Sequence, residues 1–227
     1  MTAVYSAPAP VAAHRQDRLG SEEVGPVVAP LHLVTGASPI DLPAARRAVA
    51  DLLTALGQDP HSEHLRETPR RVADAFAELL TPSAFAFTTF ANTLGDSADE
   101  AYDGLVLVRD IQFTSLCEHH MLPFSGVAHV GYLPGDRVVG LSKLARTVDT
   151  FARRLQVQER LTQQVAAWLQ DHLDPRGVGV VIEAEHQCMS LRGARATGSR
   201  TITSTLLGAL RDDARSRDEF LALTRSR

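Results

Sequence analysis

The chain has 227 residues, of which 44% are apolar and 22% charged, and this composition is typical of globular proteins. Its formal net charge of −4 argues against a general nucleic-acid or membrane binder, because both usually carry a basic excess. No apolar run approaches the roughly 20 residues that cross a bilayer, and no signal-peptide pattern opens the chain. Two cysteines cannot form a disulfide framework. We therefore expect a cytoplasmic, reduced protein that binds neither nucleic acid nor a membrane.

The N-terminal part of the sequence contains a tail and a helical region. Residues 1–40 mix alanine, proline, serine and glycine without apolar periodicity, which predicts a disordered tail. The alternative is a short arm that packs on a partner subunit. Residues 41–100 are predicted as an N-terminal helical region, with one helix starting at Asp41. A second helix is predicted with Thr68 as its N-cap and Pro69 as its first residue.

Residues 101–227 read as strand, strand, helix, helix, strand, strand, with a short helix at the end. In the first strand, alternation predicts one shared face for Leu105, Leu107, Ile111 and Phe113. The first helix has an apolar stripe with steps of three and four residues, formed by Leu141, Leu144, Val148, Phe151 and Leu155. Paired strands around a helical pair favour an α+β fold, with both helices on one face of an antiparallel sheet.

Two short clusters carry both cysteines. Cys117 and His120 have the spacing C-x-x-H, and His186 and Cys188 lie two apart on a predicted strand, where they would face one space. Two thiolates and one imidazole, with a fourth position open, are typical of catalytic zinc. Spare histidines would lie beside a metal-bound water, which favours hydrolysis with histidine acid–base help. Spacing alone leaves a disulfide or two unrelated buried cysteines open.

Cations and polar residues open the predicted helices. Ser142, Lys143 and Arg146 lie in the first turns of one helix. Since a helix N-terminus favours anions, cations there are a local conflict that a phosphate would resolve, and a solvated basic face is the alternative. Arg192 follows Cys188 by four residues and is a candidate for the same pocket.

The next helix opens with Gln158 and Glu159. A helix N-terminus favours an acid, and this is a sufficient structural reason for Glu159. The same carboxylate is also suited to accept the N1–H and the exocyclic amino group of guanine, which would be a specific recognition that is costly to lose.

Five segments together resemble GTP cyclohydrolase I of the zinc-dependent type: LRETPRRVA, SLCEHHMLPF, GLSKLAR, RRLQVQERLT and EAEHQCMSLRG. The resemblance runs from about Asp41 to about Leu223. It implies a tunnelling fold, in which a sheet with paired helices is assembled by symmetric subunits into a barrel. It further implies a homodecamer of two pentameric rings, with each active site between subunits.

The resemblance implies a role for each candidate residue. The residues that match the family's zinc ligands are Cys117, His120 and Cys188. Those that match its active-site histidines are His119, the proton donor and acceptor, and His186. Those that match its triphosphate-binding positions are Ser142, Lys143, Arg146 and Arg192. Those that match its guanine-binding positions are Glu159 and, beside it, Gln158.

The family converts GTP to 7,8-dihydroneopterin triphosphate and formate, the first step toward folate and other pterins. One alternative is a non-catalytic, zinc-stapled relative that binds nucleotides, but a decayed copy should have lost at least one matched residue. Another is a related tunnelling-fold enzyme that acts on a different pterin or deazapurine. Those relatives use other nucleophiles or a histidine-rich ligand set, so the Cys2His pattern argues against them.

Overall fold

A computed structural model describes residues 27–30, 39–93 and 101–225. Most of the predicted tail, and the predicted disorder there, lies outside these residues. The elements in chain order are β1 (Val27–Pro30), α1 (Leu42–Ala55), α2 (Thr68–Leu79), β2 (Ala86–Ala91), β3 (Val106–Cys117), β4 (Pro123–Leu133), β5 (Arg137–Val139), α3 (Leu141–Ala152), β6 (Leu155–Gln156), α4 (Gln158–Leu173), β7 (Gly177–His186), α5 (Gln187–Ser190), β8 (Thr201–Gly208), α6 (Ala209–Asp212) and α7 (Ala214–Arg225). This order confirms the predicted α+β class.

The main sheet has five strands in the order β6-β3-β4-β7-β8. Pairing is antiparallel from β3 to β8, whereas the short β6 runs parallel to β3. The apolar stripes of α3 and α4 cover one face, where Leu144, Val148, Leu161 and Val165 are fully buried with Phe124 of β4. Each such side chain contributes about 1.5–3 kcal/mol by leaving water. The prediction of paired helices on one face of the sheet is confirmed.

The helix α7 packs on the opposite face of the sheet. Phe220 is completely buried there with Leu133 and Val181. Its ring lies directly over Gly179, where an added Cβ would come within 2.7 Å of the ring. Glycine at this position therefore lets the C-terminal helix reach the sheet.

A bulge divides β3 into two parts with opposite side-chain directions. The register to β4 shifts by one residue between Val108 and Ile111, and Asp110 adopts a φ of +56°. As a result, Leu107 packs with the α7 side while Ile111 packs with the α3 and α4 side. The prediction that Leu105, Leu107, Ile111 and Phe113 share one face was wrong, because one extra residue reverses the alternation.

The N-terminal part contributes a second sheet that was not predicted. It has the strand order β1-β2-β5, so β2 lies within the region predicted as helical. The helix α1 begins directly after Asp41, where a helix start was predicted, and Asp41 caps it by accepting the Ala44 N–H at 2.9 Å. The N-cap of α2 is Glu67 rather than Thr68, and the Glu67 side chain makes no capping hydrogen bond to the described residues. In the described parts of the chain, no helix has the length and apolarity that would let it cross a bilayer.

Candidate metal centre and active site

A tight turn at the end of β3 forms the first half of the site. The Cys117 carbonyl accepts the N–H of Met121 at 2.8 Å, and the Leu122 carbonyl accepts the Cys117 N–H at 2.9 Å. Met121 has a φ of +54°, which reverses the chain. The turn brings His120 Nδ1 to 3.7 Å from the buried Cys117 Sγ.

The second half of the site follows β7. This strand ends at His186, and Cys188 lies in the helical turn α5, so the prediction that both side chains point to one face of a strand was wrong. The turn directs the Cys188 thiol toward the β3 end, where the ligand atoms of Cys117, His120 and Cys188 all lie within 4.8 Å of one another. Both cysteines are free thiols, which excludes a disulfide between them in this structure.

The chemistry of these three donors fits a divalent metal ion. Burial raises the pKa of the Cys188 thiol, and the neighbouring Cys117 raises it further, while the Arg192 charge opposes both effects. Two adjacent thiols in a partly buried site cannot both ionise without a cation to compensate them. A metal ion supplies this compensation, and two sulfur donors with one imidazole leave a fourth coordination position free.

His186 lies next to the cluster in a fixed orientation. Its ring stacks on Phe124 at a centroid distance of 4.5 Å and an interplanar angle of 2°. Its Nε2 lies 2.8 Å from Oε1 of Gln158, whose side chain is 1% exposed. Burial lowers the pKa of His186, and the Glu159 carboxylate partly opposes this effect. The ring therefore tends to be neutral at physiological pH.

Other candidate residues are exposed and lie near the metal candidates and His186. His119 is exposed on the Cys117–Met121 turn, and Glu159 is exposed in the first turn of α4. The electrostatic effect of Glu159 on His186, and that of Arg192 on Cys188, place both charges near the cluster. The Gln158 side chain is instead enclosed by protein atoms, so it is not open to contact with a ligand.

The start of α3 lies away from the cluster. Gly140 is the N-cap residue of this helix and has no side chain to cap it, while Ser142 and Arg146 are exposed. Arg146 lines a cleft of about 380 Å³. The opposite end of α3 is the one beside the metal residues, because Ser115 Oγ donates to the Ala152 carbonyl at 2.6 Å. One chain therefore does not bring Ser142, Lys143 and Arg146 to its own cluster, whereas Arg192 lies near it.

Comparison with known proteins identifies the family. The family model described as GTP cyclohydrolase I matches residues 45–225. The chain belongs to the GTP cyclohydrolase I family. A GTP cyclohydrolase 1 of Synechococcus sp. (strain JA-2-3B'a(2-13)) is 50% identical over 190 residues, which cover 84% of this chain and 82% of that protein. The GTP cyclohydrolase 1 of Homo sapiens is 47% identical over 188 residues, covering 82% and 74%. The resemblance inferred from the sequence is confirmed.

One feature of this GTP cyclohydrolase I site was not predicted. Glu118, between the metal candidate Cys117 and His119, forms an ion pair with Arg160 of α4. The hydrogen bond from Arg160 holds the pKa of the Glu118 carboxyl below its usual range. Arg160 also donates to Gln156 Oε1 at 2.9 Å. The first turn of α4 thus anchors the turn that carries His119 and His120, a contact between residues 42 apart that no local pattern signals.

Proposed function

We propose that this chain catalyses the hydrolytic opening of the imidazole ring of GTP, giving 7,8-dihydroneopterin triphosphate and formate. In this role it would carry out the first step of tetrahydrofolate and pterin biosynthesis. The observation that carries the proposal is the convergence of Cys117, His120 and Cys188 beside His186 in a member of this family.

We propose zinc as the metal, held by Cys117, His120 and Cys188. Thiolate and imidazole ligands suit zinc, and three protein ligands are the pattern of its catalytic sites. When bound, zinc supplies Lewis acidity and makes water acidic enough to act as a nucleophile near neutral pH. The free thiols of both cysteines support a reducing compartment, so we propose that the protein works in the cytoplasm.

The histidines of the chain would move the protons. Addition of water at C8 and rupture of the C8–N7 bond require a proton at N7, and a second water then breaks the C8–N9 bond and releases formate. Closure of the new ring onto the rearranged sugar expels one water. His119, exposed on the turn, is suited to give and take protons during ring opening. His186, neutral and oriented by Phe124 and Gln158, is suited to assist.

Charged residues would bind the two ends of the nucleotide. The exposed Glu159 carboxylate is suited to accept the N1–H and amino group of guanine, with the backbone of Gln158 beside it. Ser142, Lys143 and Arg146 lie in the first two turns of α3, whose N-terminus favours phosphate, and Arg192 adds a charge near the cluster. Binding of the triphosphate would supply binding energy away from the reacting ring.

We propose that a second copy of the chain completes the site, within a homo-oligomer that the family resemblance suggests is a decamer. The proposal is supported by the position of three phosphate candidates, Ser142, Lys143 and Arg146, toward the end of α3 opposite to the metal candidates. Lys143 and Ala152 are nine residues apart on this helix, a rise of roughly 14 Å. A neighbouring copy would bring its own α3 start to the cluster.

A turnover assay on the purified chain tests the proposed function. Incubation with GTP should release formate and, after oxidation, a fluorescent pterin in equal amounts. Binding of GTP without either product would favour the non-catalytic relative and would overturn the proposal.

A further inference from the structure

The side-chain amide of Gln158 has one chemically permitted orientation. Its Nε2 lies 3.0 Å from the carbonyl oxygens of Ile182 and Thr201 and 3.1 Å from Thr203 Oγ1. Carbonyl oxygens accept hydrogen bonds and cannot donate, so an amide nitrogen must face them. A flipped amide would bring Oε1 against two carbonyl lone pairs in a site where the Gln158 side chain is 1% exposed.

The two neighbouring threonines agree with this orientation. Thr162 Oγ1 donates to the Gln158 carbonyl at 2.8 Å, and it lies 2.6 Å from Thr203 Oγ1. Since the Thr162 proton is used by the carbonyl, Thr203 donates to Thr162. A lone pair of Thr203 then remains to accept from the Gln158 amide. The amide has two N–H groups for these three acceptors, so one N–H is shared between two of them, and all three contacts require a donor at this position.

The fixed amide determines which nitrogen of His186 carries the proton. Gln158 Oε1 accepts only, and it lies 2.8 Å from His186 Nε2, so a neutral ring must hold its proton on Nε2. Stacking on Phe124 holds the plane of the ring. Within the part of the chain that the structure describes, Nδ1 makes no hydrogen bond.

We propose that Gln158 is a positioning residue that keeps neutral His186 in the Nε2–H form, so that Nδ1 is the ring nitrogen that meets water or substrate. His186 then enters the reaction as a proton acceptor at Nδ1. Gln158 acts through His186 rather than through contact of its side chain with guanine. The proposal rests on the proposed function only for its kinetic consequence, because the position of the proton is a property of the free protein.

A spectroscopic experiment tests the tautomer directly. The full chain is labelled with ¹⁵N- and ¹³C-histidine and examined by solid-state NMR at pH 8, and the His186 signals are assigned by their loss in His186→Asn. The nitrogen bonded to Cγ, which is Nδ1, should lack a directly bonded proton, and Nε2 should have one. A proton on Nδ1 would overturn the proposal, and this readout needs neither GTP turnover nor a variant of Gln158.

A kinetic experiment separates positioning from guanine binding. In Gln158→Leu, kcat should fall by on the order of 10- to 100-fold while the KM for GTP changes less than about two-fold. The matched control is Gln170→Leu on the same helix, whose Oε1 is buried without a hydrogen-bond partner among the described residues, and this variant should keep wild-type kcat. A higher KM with unchanged kcat in Gln158→Leu would overturn the positioning role. Absence of turnover in the wild type would instead overturn the proposed function and leave the NMR result standing.

Discussion

Cys117 Sγ and His120 Nδ1 lie 3.7 Å apart, on two residues of one tight turn with only two residues between them in the chain. The left-handed backbone of Met121 makes this possible, since it closes the turn that starts at the Cys117 carbonyl. The ion pair between Glu118 and Arg160 ties the same turn to α4. Two of the three metal candidates are thus pre-arranged locally, and the third depends on α5.

Loss of the third donor should remove the metal. Cys188→Ser removes a direct ligand of the zinc. It should therefore weaken zinc binding by more than the roughly 10- to 100-fold that is lost when a residue hydrogen-bonded to a ligand is removed. Activity should fall with it, while the circular dichroism spectrum stays that of the wild type. Zinc per chain is measured by metal analysis after gel filtration. Met189→Leu is the control, and retention of one zinc per chain in Cys188→Ser would refute the ligand assignment.

His119→Ala should separate binding from chemistry. The variant should keep its zinc and its affinity for GTP, while kcat falls by about 100- to 10,000-fold, the usual contribution of a general acid or base. Single-turnover formate release and equilibrium binding of GTP provide the two readouts. His172→Ala, which removes an exposed histidine stacked on Trp168, should leave kcat unchanged. A near-normal rate in His119→Ala would exclude its acid–base role.

Glu159→Gln should reduce the preference for guanine. A carboxylate accepts both N–H groups of the guanine edge, whereas an amide places its own donors against one of them. The loss should be about 1.5–3 kcal/mol for GTP, or roughly 10- to 150-fold in kcat/KM. Because ITP lacks the amino group, the ratio of kcat/KM for GTP to that for ITP should fall. An unchanged ratio would count against the guanine contact, and Glu219→Gln on α7 is the control.

The buried His129 should make stability depend on pH. Burial lowers the pKa of its imidazole in the folded chain, with the charges of Asp110 and Glu183 opposing and that of Arg109 adding to the effect. As pH falls through the unfolded value of about 6.5, the unfolded chain takes up this proton first, so stability falls until the folded pKa is passed. His129 Nδ1 also accepts the Asp110 N–H at 3.3 Å.

His129→Asn tests this dependence, because Asn Oδ1 can accept the same N–H but does not titrate. The drop in thermal midpoint between pH 7.5 and pH 5.5, measured at one protein concentration, should be smaller in the variant than in the wild type. An equal drop in both proteins would mean that other groups cause the acid sensitivity.

Local patterns predicted the parts of the fold that depend on local physics. The apolar stripes of α3 and α4 gave both helices and most of their buried faces, since a 3.6-residue period allows few other structures. Two members of the predicted α3 stripe differ, because Leu141 is exposed and Leu155 lies in β6 beyond the end of the helix. The two cysteine clusters predicted a shared site although they lie about 70 residues apart. Their conjunction was informative because the chain contains no other cysteine.

Other features depend on contacts that no local pattern encodes. The bulge near Asp110 puts the side chains of Leu105 and Leu107 on the sheet face opposite to that of Ile111. His129, which accepts the Asp110 N–H, lies on another strand. The end of β7 at His186 put Cys188 in a helical turn rather than on the strand. The network of Gln158 draws on β7 and β8, so its buried amide could not be recognised from the sequence.

The most direct test of the central claim is a zinc titration of the metal-free chain with formate release from GTP as the readout. The chain is stripped with a chelator, and its rate is measured after each addition of zinc. We predict that activity rises in proportion to added zinc and levels off at one equivalent per chain. Full formate release from the metal-free chain would contradict the proposed role of Cys117, His120 and Cys188.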